Sequence, residues 1–86
     1  MDPDEAWRVC LEHLKDDLPT ATFCMWLEPT ICAGENNGAL ILHCPDNTYQ
    51  WVRRRYGAKI GETVRTLTEY QGAYIRKARP VHAELF

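Results

Sequence analysis

No apolar run in the chain approaches the ~18 residues of a membrane span. The opening residues Asp2, Asp4 and Glu5 are acidic where a secretory signal would be basic. Both absences point to a cytoplasmic protein with no membrane partner. There is no Cys-x-x-Cys pair either: Cys10, Cys24, Cys32 and Cys44 are separated by 14, 8 and 12 positions, and no histidine is spaced to complete a zinc site. Four reduced cysteines acting as small buried hydrophobes are expected. Four is also the count of a two-bridge secreted domain, a reading that the missing leader disfavours. The five glycines build no phosphate-cradling loop, so neither a nucleotide-binding loop of the Walker kind nor a dinucleotide fingerprint is present. Nucleophile and base do not come together convincingly. His13 follows Cys10 by three positions on a helix, and His43 adjoins Cys44 on a strand whose alternation points the two side chains apart. These absences argue against an enzyme, a cofactor and a metal.

What is present suits one small folded domain. Of the 86 residues 45% are apolar and 26% charged, an ordinary globular balance. A single domain is expected over residues 1–79, with 80–86 as a tail or the start of a linker. The net charge of −2 hides an asymmetry: residues 1–50 carry nine acids and two bases, residues 51–86 eight bases and three acids. Such a split either offers a basic face to phosphate and an acidic one to another protein, or lets the two halves attract each other within the fold.

Trp7, Leu11, Leu14 and Leu18 recur at i, i+4, i+7 and i+11, one stripe of an amphipathic helix that Asp2 or Asp4 can cap and Pro19 stops. Thr20 can cap a shorter helix over "TFCMWLEP", where Phe23, Trp26 and Leu27 share a face and read as core. "TICA" and "ALILHC", separated by "GENNG", read as a β-hairpin. After Pro45, with Asp46 or Asn47 at its start, a third helical region carries the stripe Val52, Tyr56, Ile60, Val64 and Leu67, with a break or bend near Gly57. "AYIRKAR" after Gly72 supplies a third strand. The order α-α-β-β-α-β describes an α+β domain with helices packed on one face of a three-stranded sheet.

Two features exceed what folding needs. Trp7 stands in the first turn of the first helix, where a bulky indole is hard to bury, and spacing alone fits core and interface equally. In Trp51–Tyr56 three consecutive arginines, Arg53, Arg54 and Arg55, are flanked by aromatics; they can contact phosphate and bases or form a solvated helix face.

Taken together, "WRVCLEHLKDDLPTATFCMWLEP" and "LILHCPDNTYQWVRRRY" resemble the N-terminal domain of the bacterial replication initiator DnaA, from Trp7 to about Tyr70. The spacing from Trp7 to Pro29 follows the family pattern without a gap. The resemblance implies a fold similar to a KH domain. It also implies recruitment in DNA replication initiation: self-association, binding of the replicative helicase and of initiation regulators, and in some members weak contact with single-stranded DNA. Trp7 falls on the family's self-association tryptophan, and Cys10 lies on the same helix face. Thr22 stands where some members carry a helicase-contacting glutamate, so that charge is missing here. The interval from Pro45 to Trp51 is one residue shorter than in the family, which leaves Tyr49 as the chemically closest replacement for a helicase-contacting aromatic.

Two other readings stay open. One is a KH-like module that binds single-stranded nucleic acid through Arg53, Arg54 and Arg55 with Arg76, Lys77 and Arg79, although "GAKIG" has one residue too many for the G-x-x-G clamp. The other is a free-standing modulator of the initiator.

Overall fold

The computed structural model describes residues 1–45 and 47–77. Asp46 as a helix start, Arg79 as a basic contact and the expected tail lie outside the described residues. Helix α1 (Pro3–Asp17) begins with Pro3, whose missing N–H costs nothing at that position, and with Asp4 and Glu5 near the positive end of the helix dipole. Asp2 occupies the cap position but makes no side-chain cap bond. The helix ends at Leu18, which is extended before Pro19; the Leu18 N–H donates to the Leu14 carbonyl. Its buried face is Ala6, Trp7, Cys10 and Leu14, while Leu11 and Leu18 of the expected stripe pack at the core margin.

Helix α2 (Thr20–Thr22) runs directly into a π-helical turn, Phe23–Leu27, closed by the Glu28 N–H donating to the Phe23 carbonyl at 2.9 Å. Thr20 does not cap it: Pro19 takes the cap position, and no side-chain bond is made there. Phe23 and Leu27 are buried, but Trp26 is only half-buried, so the face expected to be wholly core is shared with the surface.

The strands are β1 (Ile31–Asn36) and β2 (Ala39–Cys44), antiparallel, with β3 (Gly72–Lys77) parallel to β2 and the order β1-β2-β3. The hairpin turn is tighter than "GENNG" suggests. Only Asn37 (φ 53°) and Gly38 (φ 82°) form it, both left-handed as a type I′ turn requires. Gly34, at φ 132°, belongs to β1 instead, at a bulge where the register shifts between Cys32 and Gly34. Leu40, Leu42 and Cys44 point from β2 into the core, and Ile31 and Tyr74 stay exposed.

The third helical region comprises α3 (Tyr49–Trp51), a second π-helical turn (Val52–Tyr56) and α4 (Gly57–Leu67). The irregularity expected near Gly57 is this turn. Apolar steps of four overshoot a 3.6-residue turn by about 40° each. The wider π turn absorbs the drift, so that Val52, Ile60 and Val64 are all fully buried. The result is the expected α+β architecture, in which α1, α4 and the two π turns supply one core with a mixed sheet.

Candidate protein-interaction surface

Trp7 is only 3% exposed, and its indole N–H donates to the Thr30 carbonyl at 3.1 Å. Thr30, itself buried, has its hydroxyl 3.3 Å from the Cys44 sulfur, so α1, the loop after Pro29 and the end of β2 are pinned at one point. Cys10 lies fully in the core, and burial pushes its thiol up to about 11. Burial raises the Cys44 thiol as well. Of the cysteines expected inside, Cys32 is half-buried and Cys24 is exposed; all four are free thiols. On α1 the large apolar side chain that reaches solvent is Val9.

The exposed apolar surface gathers elsewhere. Trp51, 52% exposed, packs on Trp26 with ring centroids 5.9 Å apart and planes tilted by 40°. The guanidinium of Arg55 stands 5.8 Å from the centre of the Trp51 ring, and Met25 is 58% exposed on the same π turn as Trp26. The two π turns place these side chains. Trp51 precedes the buried Val52 by one position, which rotates it about 100° off the core stripe. That offset is the sequence signal that could have singled it out.

Thr22 and Tyr49, the two positions expected to meet a helicase, are half-buried, one in α2 and one in α3. The Tyr49 hydroxyl accepts from Arg53 at 3.3 Å. Arg53, Arg54 and Arg55 are all exposed and fan out around the second π turn, so they do not converge on one point. The charge asymmetry is only partly spent inside the fold. Lys59 pairs with Asp17 at 2.6 Å and holds that carboxyl below its usual range, yet arginines 53, 54, 55, 65 and 76 join no ion pair among the described residues. At the other end of the sheet the Met1 amino group meets Glu69 at 2.8 Å, and the Tyr70 hydroxyl donates to the Met1 carbonyl. Among the described residues no cluster of histidine, cysteine, aspartate or glutamate is arranged to hold a metal, and no helix is long and apolar enough to cross a membrane.

The family model of the DnaA N-terminal domain matches residues 4–66, from the first turn of α1 to the last turn of α4. The chain belongs to the DnaA N-terminal domain family. It is also similar to the chromosomal replication initiator protein DnaA of Psychromonas ingrahamii, at 38% identity over 66 residues. That stretch covers 76% of this chain but only 14% of the relative, so this DnaA N-terminal domain corresponds to a small part of the relative's length. Within the DnaA N-terminal match lie Trp7, Thr22, Trp26, Tyr49, Trp51 and the three consecutive arginines. Strand β3 lies beyond it.

Proposed function

We propose that this domain is a non-catalytic recruitment module of a replication initiator, working in the cytoplasm, whose Trp26–Trp51 surface receives the replicative helicase or a regulator of initiation. The observation that carries this reading is the contact of an exposed Trp51 indole with the half-buried Trp26 indole, beside the exposed Met25. Leaving that much aromatic area in water is costly for a monomer and is repaid when a partner covers it. Arg55 adds a charge that stays attached to the Trp51 ring, so an acidic rim on the partner fits. Thr22 precedes Trp26 by four positions and can join the patch, whereas Tyr49 faces β3 rather than the tryptophans. Self-association, the second role, falls to α1. Trp7 and Cys10 set the shape and stability of that helix from inside, and Val9 with its charged neighbours makes the contact. Arg53, Arg54 and Arg55, without ion-pair partners among the described residues, favour a weak single-stranded DNA contact as a further reading.

Titrating the replicative helicase of the same organism onto the ¹⁵N-labelled domain tests the main reading. The indole signals of Trp26 and Trp51 and the amides around Met25 are expected to shift first. Shifts confined to the exposed sheet face around Ile31 and Tyr74 would overturn it. Titration with single-stranded DNA at low and high salt tests the last reading: binding that does not weaken with salt removes the arginine contact.

A further inference from the structure

A groove runs along the free edge of β3, apart from the tryptophan surface. Among the described residues strand β3 pairs with β2 alone, so on its other side the N–H and C=O groups of residues 72–76 have no ladder partner there. The opposite wall is the end of the second π turn and α4, where Gly57 and Gly61 line the space. A Cβ at Gly57 would sit 3.7 Å from the Ile75 side chain, so glycine keeps this wall low beside the strand. The groove is continuous: a cavity of about 610 Å³ on the α4 side and one of about 360 Å³ on the α3 side share Gly57, Ala73 and Tyr74. Arg65 lines the first cavity and Arg53 and Arg76 the second, and none of the three has an ion-pair partner among the described residues. Among the described residues Glu62 is the one carboxylate on the walls of these two cavities.

We propose that this groove binds an acidic peptide in extended conformation, which adds to β3 as a fourth strand. Main-chain hydrogen bonds to the open edge supply the affinity, and carboxylates on alternate residues, ~7 Å apart along a strand, meet the arginines. A single nucleic acid strand fits less well. The Tyr74 ring is already covered by the Arg76 guanidinium at 5.5 Å, and the Tyr49 hydroxyl already takes Arg53, so neither phenol is a free stacking platform. A continuous polyanion also has to pass Glu62, which a peptide with spaced acids avoids. The inference does not depend on the tryptophan surface, because neither Trp26 nor Trp51 lines either cavity.

The test is a titration of the ¹⁵N-labelled chain with a blocked peptide alternating glutamate and valine. Three comparisons accompany it: the same peptide methylated on alternate backbone nitrogens, a glutamine-for-glutamate version, and a short oligothymidylate. Shifts and slowed hydrogen exchange at residues 72–77 are expected, with the Trp51 indole unmoved. Methylation should abolish binding, and Arg53→Glu combined with Arg76→Glu should weaken it about tenfold or more. Arg53→Gln with Arg76→Gln, a milder change at the same exposed positions, should give an intermediate loss. Equal binding of the methylated peptide, tighter binding of oligothymidylate at the same amides, or no response of β3 to the acidic peptide would each overturn the proposal. Helicase binding through the tryptophans would survive any of those results.

Discussion

Replacing Trp7 with phenylalanine keeps an aromatic ring in the core but deletes the indole N–H that donates to the Thr30 carbonyl at 3.1 Å. The lost hydrogen bond costs about 1 kcal/mol net, more if the Thr30 carbonyl is left dry. The smaller ring leaves a void between α1 and the loop after Pro29, worth a further 1–2 kcal/mol or so. The total of roughly 2–3 kcal/mol, at about 4–8 °C per kcal/mol for a domain of this size, lowers Tm by some 10–20 °C. Circular dichroism melts at a low and a high protein concentration measure it. Because Trp7 is only 3% exposed in the isolated chain, the drop should be complete at the low concentration, where no self-contact contributes. An unchanged dilute melt, together with lost association in sedimentation, would refute the core assignment and make Trp7 an interface residue.

Alkaline pH should destabilise the domain through its buried thiols. Cys10 ionises at about 11 when folded, whereas an unfolded cysteine does so near ~8.5. The folded state therefore holds the proton more tightly, and stability is full below ~8.5 and declines by up to ~1.4 kcal/mol per pH unit toward 11. Cys44 shifts in the same direction and adds to the slope. Urea midpoints measured across that range should fall, and Cys10→Ala should flatten the fall. Gly38→Ala places a Cβ on a residue at φ 82°, which should cost about 1 kcal/mol in urea unfolding, while the neighbouring Gln71 side chain, at 3.6 Å, offers no clash to add to it.

Spacing carried much of the fold. The stripe from Val52 to Leu67 and the alternation in "ALILHC" each bury one face. What periodicity could not show was the π turns, because an i→i+5 ladder is decided by how a helix fits its neighbours rather than by residue preference. Those turns moved Trp26 from the expected core to the edge, where it meets Trp51. Trp7 was undecidable for a different reason: its burial depends on the Thr30 carbonyl, supplied by a loop 23 residues away. The hairpin turn shrank to Asn37 and Gly38 because Gly34 was needed for a bulge, and glycine serves both purposes equally well in a sequence. Cys24 sits between Phe23 and Met25 in a hydrophobic run, yet faces solvent, since it is rotated by roughly 100° from the buried Phe23.

Measuring the affinity of Trp51→Ala for the replicative helicase probes the recruitment surface most directly. The substitution removes an exposed ring that meets Trp26 and the Arg55 guanidinium, the ring pair contributing roughly 0.5–1.5 kcal/mol, so the domain should remain folded. As the anchor of the patch, its loss should weaken binding by at least about thirtyfold, corresponding to the ~2 kcal/mol of a hot-spot side chain. Binding at wild-type strength by a fully folded Trp51→Ala domain would contradict the assignment of the tryptophan pair as the recruitment surface.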